Sequence, residues 1–331
     1  MSAYDSQMPD QPIVDAGATN EHLRLLARVA RMYHERGMKQ QQIAEQLGLS
    51  QARVSRLLKE AGERGIVRSI VVLPPGVHTE LEEAVQDRFG LDDVVVVDVE
   101  GAADMGRALG SAAASYLDVS LVGADVIGVS SWSSALVAAV EAMRPRAHPS
   151  ASAVVQMFGG VGDPTVQVQA TRLTGRLADV LRARPMYMPS PAIVGSPAIR
   201  RAMMKDPAIG AIVESWAAIT VSLVGIGTID PSPLLRSSGN SLSPEEIDAL
   251  RSAGAVGDIC LRYFDEAGRT VPSSVDDRLM GMTSAAIQAV PRRIAIAGGS
   301  DKVTAIRAAV AGGWVSVLVT DAETAQALAA A

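Results

Sequence analysis

Four apolar, β-branched runs of this chain each end in small, flexible or hydroxylated residues. "DVIGV" leads into Ser130, Ser131, Trp132, Ser133 and Ser134. "SAVVQM" leads into a turn holding Gly159, Gly160 and Gly162, "AAITVSLV" into "GIGTID", and "RRIAIA" into "GGSDK" with Lys302. Glycine lets backbone amides approach a bound group, and amides and hydroxyls at the start of a following helix favour anions. Lys302 adds a mobile positive charge, so the chemistry on offer is binding of a small anionic or polyhydroxylated molecule. Trp132 could stack on a sugar ring or simply fill space at a strand end. "MFGGVGDP" lacks the lysine and spacing of a P-loop, and no GxGxxG opens a helix after a first strand. His22, His34, His78 and His148 are scattered without ligand spacing, so neither a metal nor a cofactor is expected.

A second chemistry sits near the N-terminus. In "QQIAEQLGLSQARVSRLLKEA" the residues Gln51, Ala52, Ser55, Arg56 and Lys59 lie off an apolar stripe, with Arg53 on its flank. Gln and Arg suit bidentate contact with base edges, whereas Ser and Lys more often hold phosphates. The first residues of a recognition helix reach deepest into a major groove, which makes Gln51, Ala52 and Arg56 the base-reading candidates. Arg28, Arg31, Arg64 and Arg68 could hold the flanking backbone.

The elements that must position these residues follow from spacing. Leu26, Val29, Ala30 and Tyr33 recur at helical intervals, and Gly37 ends that helix. A second helix, from about Lys39 to Leu47, turns inward Ile43, Ala44 and Leu47 and stops at Gly48. Ser50 is placed to cap a third, whose inward stripe is Val54, Leu57, Leu58 and Ala61. "RGIVRSIVVL" then turns strand-like, as a wing would. The prolines of "LPPGVHTEL" suit a domain junction.

Beyond it, β-branched runs at 93–99, 125–130, 152–157, 217–227, 292–299 and 315–321 alternate with helical stretches at 105–117, 135–143, 167–181, 244–253 and 302–311. Continuous rather than alternating apolar strands indicate an α/β domain with a mostly parallel sheet, and ligands collect at the carboxyl ends of such strands. "GDICLRYFDEAGRTV" reads as an inserted antiparallel hairpin turning at "DEAG". The expected organisation is a flexible tail over 1–20, a winged-helix-like helix-turn-helix domain over 21–73 and an effector domain over 74–331.

Composition agrees. A chain of 331 residues favours two domains, and with 48% hydrophobic but only 3% aromatic residues its core must be aliphatic. One cysteine, Cys260, excludes a disulfide framework and fits a reducing cytoplasm. No apolar run reaches membrane-spanning length, and no signal peptide is visible. Residues 21–70 carry a balance of +5 and the rest −11. A basic head on an acidic body is the asymmetry of a DNA reader fused to another function.

Taken together, "QIAEQLGLSQARVSRLLKEA", "DVIGVSSWSSAL", "VVQMFGGVG", "LVGIGTI", "GAVGDICLRYFD", "RRIAIAGGSDKVTAI" and "VSVLVTDAETAQAL" resemble the SorC family of sugar-binding transcriptional regulators over roughly residues 23–329. The resemblance implies an effector domain similar to the glucosamine-6-phosphate deaminase, ribose-5-phosphate isomerase and CoA-transferase fold. It also implies a sugar phosphate or related metabolite as signal, and a homodimer or homotetramer on operator DNA. By motif, the serine loop and the Gly159–Gly162 turn would surround phosphate and sugar, and Gln169, Asp258 and Lys302 would supply polar contacts. Phe158 stands where some members carry arginine, and Ala135 where threonine is common, which leaves a free sugar or polyol open. A turn-adjacent, solvated carboxylate is the bland alternative for Asp258.

The expected function is DNA-binding transcriptional regulation controlled by a sugar phosphate, sugar or polyol, with no enzymatic activity. The rival is a sugar-phosphate isomerase or deaminase using Asp258 or Asp163 as base, for which the sequence displays no carboxylate–histidine or carboxylate–lysine pairing.

Overall fold

The computed structural model describes residues 20–67, 76–101, 104–130, 132–240 and 242–330, with residues 164–170 described by backbone alone. Residues 1–19 of the tail expected over 1–20, the wing strand from residue 68 onward, Arg68 and Ser131 lie outside them, and Asn20, the last residue of that tail, already begins a helix. The chain divides into two compact units, 1–72 and 73–331.

The described part of the first unit is three helices, α1 (Asn20–His34), α2 (Gln40–Leu47) and α3 (Gln51–Glu63). Their shared core is Leu26, Val29, Ala30 and Met32 from α1, Ile43 and Ala44 from α2, and Val54, Leu57 and Ala61 from α3. One expectation shifts: Met32 is buried, whereas Tyr33 is 39% exposed with its ring edge against His34. A wide apolar stripe admits either residue, and the unbranched Met fills the irregular gap. Gly48 takes the left-handed conformation (φ 65°) that ends α2, and Leu49 N–H closes the turn on Ala44 O at 2.9 Å. Ser50 Oγ then accepts Arg53 N–H at 3.3 Å and caps α3. Glu60 of α3 ties the helices together, its Oε1 2.8 Å from both His22 Nε2 of α1 and Arg64 Nε.

The second unit is a mixed α/β body around a seven-stranded, wholly parallel sheet. Its strands are β1 (Asp93–Val97), β2 (Val126–Val129), β3 (Ala153–Gln156), β4 (Arg184–Met186), β5 (Val221–Val224), β9 (Arg292–Ile296) and β10 (Val317–Asp321), in spatial order β1-β10-β9-β5-β2-β3-β4. Alternate side chains serve opposite faces: Val317 and Val319 join one core with Leu117, Leu136 and Leu177, while Leu318 joins the other with Ile306 and Trp314. Burial on both faces explains the unbroken apolar runs. Helices α5 (Met105–Ser120), α6 (Ser134–Ala142) and α7 (Pro164–Leu181) cover the first face, and α13 (Val303–Ala311) and α14 (Ala322–Ala330) the second.

Two features depart from the sequence reading. The edge strand β4, "RPM", was not anticipated, because three largely exposed residues with a proline carry no apolar signal. The run at 217–227 divides: Trp216–Ala218 is a 3-10 turn, β5 spans four residues, and β6 (Gly227–Thr228) leaves the main sheet. β6 pairs antiparallel with β7 (Ala255–Ile259), and β7 with β8 (Arg262–Asp265). The hairpin expected here exists, but β7 and β8 turn at Cys260–Leu261. "DEAG" forms the next turn, returning the chain to a bridge between Phe264 and Thr270. Cys260 (φ 54°) and Leu261 (φ 61°) both adopt the left-handed conformation that favours Gly and Asn, so residue type gave no warning of a turn there.

Candidate functional site

The four loops singled out in the sequence follow β9, β5, β2 and β3, which are consecutive neighbours in the sheet. All four therefore emerge at one carboxyl edge. From β2 the chain proceeds outward through β3 and β4, whereas β5, β9 and β10 lie on β2's other side. The boundary between β2 and β5 is thus a topological switch point, where diverging connections open a crevice.

A cleft occupies that place. Ser130, Trp132, Ser133 and Ser134 line it after β2, Gly225 to Thr228 after β5, and Asp258 and Lys302 add a charge of each sign to its lining. Ser133 caps α6, its Oγ accepting Leu136 N–H at 3.4 Å. Lys302 ends a 3-10 turn ahead of α13 and donates Nζ to Ile226 O at 3.4 Å. Asp258 reaches the cleft because β7 lies over the sheet edge against β6, with Asp258 opposite Gly227.

Asp258 is bound into the cleft wall, in contrast to the solvated carboxylate that was its alternative. Its Oδ2 accepts Leu261 N–H at 2.8 Å, the bond that bridges the left-handed turn. Burial pushes its carboxyl up to about 6, against the opposing pull of the Leu261 N–H and the Lys302 ammonium. The neighbouring Cys260 thiol and Tyr263 hydroxyl are pushed upward, first by burial and then by the Asp258 charge. Asp258 and Lys302, far apart in sequence, thus act on each other within one cleft.

Gly159, Gly160 and Gly162 stand behind the cleft. Trp132 Nε1 donates to Gly159 O at 3.3 Å, and a Cβ on Gly162 would lie 3.2 Å from the Trp132 ring. A Cβ on Gly159 would strike the backbone of Pro191. The turn therefore backs the tryptophan, and Phe158 is the residue of this loop that reaches the cleft. Ser131 lies outside the described residues, and of Gln169 only its place in α7 is described. Sequence reasoning missed Thr228, Ser232, Tyr263 and the Cys260–Leu261 turn as cleft lining. Asp258 in "GDICL" was their one available signal. Among the described residues no group of acidic, histidine or cysteine side chains could hold a metal ion.

In the first unit, Gln51, Ala52, Arg53, Ser55, Arg56 and Lys59 are all exposed, while Val54 and Leu57 between them are buried. Exposed Arg28 is also on the surface of α1. Arg31 is engaged by Glu35 at 2.9 Å, and Arg64 by Glu60.

Fold and cleft together define a small-molecule-binding α/β body, accompanied in the same chain by a three-helix unit with a polar, partly basic outer face. The sugar-binding domain (Sugar-bind) family model matches residues 74–330, and the model of a domain of unknown function, DUF7343, matches residues 23–72. The chain is 32% identical over 310 residues to the deoxyribonucleoside regulator of Bacillus subtilis (strain 168), covering 93% of this chain and 98% of that one. It is 31% identical over 315 residues to the sorbitol operon regulator of Klebsiella pneumoniae, with the same coverage. The crystal structure of full-length SorC from Klebsiella pneumoniae superposes with a TM-score of 0.71 over 94% of this chain and 100% of that chain, at 29% identity. The chain belongs to the SorC family of sugar-binding transcriptional regulators.

Proposed function

We propose that residues 21–73 are a winged-helix-like, helix-turn-helix DNA-binding domain and that residues 74–331 are its effector domain, similar to the deaminase, isomerase and CoA-transferase fold. α3 is the recognition helix. Gln51, Ala52 and Arg56 face base edges, and Arg53, Ser55 and Lys59 hold the phosphates beside them. The effector is a sugar phosphate, free sugar or polyol. It lies in the cleft between the serine loop, Asp258 and Lys302, with Trp132 as one wall, the Gly159, Gly160 and Gly162 turn behind it, and Ser131 and Gln169 as further contacts.

The observation that carries this reading is the convergence of four loops on one sheet edge at the switch point, with an acid and an ammonium both lining the cleft there. A carboxylate and an ammonium accept from and donate to neighbouring hydroxyls, the pattern a polyhydroxylated ligand requires. Regulation then needs only that the ligand bind one arrangement of the assembled chains more tightly than another. A coupling of about 1–3 kcal/mol changes operator occupancy several- to a hundredfold. The working protein is a homodimer or homotetramer on operator DNA in the cytoplasm, since a paired operator half-site demands paired recognition helices. Among the described residues no helix is long and apolar enough to cross a membrane.

One observation favours the rival enzyme reading: a carboxyl raised to about 6 beside a lysine is how a general base is prepared. Regulation is preferred because Asp258 is already engaged in holding the β7–β8 turn. The test is thermal denaturation of the full chain against a panel of pentose and hexose phosphates, free sugars and polyols, followed by a turnover assay of each stabilising compound. A stabilising compound that is not consumed supports regulation; sustained turnover establishes the enzyme.

A further inference from the structure

α6 and α7 follow the parallel neighbours β2 and β3 and pack together over the same face of the sheet. Between them runs a groove whose lining shares no residue with that of the cleft. Its floor is Val137, Val140 and Leu173, and its rim is Glu141, Asp179, Arg172 and Arg176. Val140 and Leu173 are buried and the four charged residues are exposed. No ion pair among the described residues involves any of the four, although other surface charges, such as Arg31 with Glu35 and Arg251 with Asp248, are paired.

The order of these charges is informative. Helices that cross over after parallel strands run back against them, so α6 and α7 point the same way. Glu141 is the penultimate residue of α6, and Asp179 lies near the end of α7, so both acids mark one end of the groove. Arg172 and Arg176 precede Asp179 on α7 at spacings of four and three, which keeps them on one face and places Arg172 about 10 Å from Asp179 along the axis. The rim is therefore basic toward one end and acidic at the other, two charges of each sign.

A two-fold axis across such a groove lays the basic end of one chain over the acidic end of the other, twice, with the apolar floors between them. A partner of uniform charge would be repelled by half of the rim. The adjoining sheet edge, β4, contains Pro185, which has no N–H to offer a further strand, so helices rather than strands make the contact. We propose that the α6–α7 groove is a self-complementary interface on which a second copy of this chain docks.

The experiment is sedimentation velocity on the full chain without DNA or added metabolite. It compares wild type with two charge reversals, Arg172→Glu with Arg176→Glu, and Glu141→Lys with Asp179→Lys. Wild type is expected at twice the 34.5 kDa chain mass or a higher multiple, and each reversal at half the wild-type mass, with an unaltered far-ultraviolet circular-dichroism spectrum because all four side chains are exposed on the single chain. An equimolar mixture of the two reversals restores opposite charges at both ends and should recover the wild-type mass. A wild type that sediments as a single chain overturns the proposal. So does a reversal that keeps the full mass, or a mixture of folded variants that fails to reassociate.

Discussion

The carboxylate of Asp258 occupies the space that a side chain on Gly227 would fill: across the β6–β7 pair, even a single Cβ would collide with Oδ1. The absence of a side chain at residue 227 thus lets the acid lean into the cleft, where Leu261 N–H fixes its other oxygen. Gly227→Ala should displace Asp258 and destabilise the body by about 1–3 kcal/mol. Chemical denaturation and metabolite-induced melting shifts check this, the expected result being a lower midpoint together with a reduced shift.

The raised carboxyl of Asp258 makes stability depend on pH with a definite sign. In the unfolded chain the group ionises near 3.8, and in the fold near 6. Below the lower value both states hold the proton and the fold incurs no penalty. As pH rises toward 6 the unfolded chain ionises first, and this contribution to stability is lost, fully so above the folded value. Asp258→Asn, which can still accept from Leu261 N–H, should therefore be more stable than wild type at pH 7.5, by about 1–3 kcal/mol. The advantage should shrink steadily between pH 6 and pH 4 in urea titrations. A constant difference across that range would place the ionising carboxyl elsewhere.

Lys302 is the positive partner of Asp258 in the cleft and one of the two groups that hold its carboxyl down. Lys302→Met keeps the unbranched chain, one atom shorter, and removes the charge. It should reduce the effector-induced melting shift while leaving DNA affinity without effector unchanged. Isothermal titration of a stabilising metabolite is the measurement, and an undiminished affinity would remove the ammonium from the site.

On α3 the separation between buried and exposed residues makes two substitutions distinguishable. Arg56→Ala should weaken operator binding by roughly 1–3 kcal/mol without altering melting, because the guanidinium is exposed. Ser50→Ala removes the cap on Arg53 N–H and should destabilise the first unit by about 1 kcal/mol. Fluorescence anisotropy on operator DNA, paired with circular-dichroism melting, separates lost contact from lost folding.

Much of this was legible because burial imposes patterns on sequence. The strands β2, β3, β5, β9 and β10 are covered on both faces and read as apolar runs, and their spatial adjacency turned four separate loops into one cleft edge. β4 could not be read, since an exposed edge of three residues with Pro185 is under no such constraint. The Cys260–Leu261 turn was hidden for a different reason. Its left-handed backbone is maintained by a side chain two to three residues earlier, not by glycine at the turn. The Gly159–Gly162 turn shows the opposite case, a motif visible in sequence whose glycines serve close packing against Pro191, Gln156 and Trp132 rather than lining the cleft. Tyr33 and Met32 compete for one stripe, and only packing distinguishes them.

The central claim is that exposed α3 residues read DNA under the control of a metabolite in the Asp258–Lys302 cleft. Its most direct measurement is anisotropy titration of the full chain on the genomic fragment it selects, with and without a compound that stabilises it. Specific binding should exceed non-specific binding by at least about a thousandfold. The compound should change that affinity at least about fivefold. Affinity no better for the selected fragment than for random duplex, or identical with and without the stabilising compound, would contradict the account.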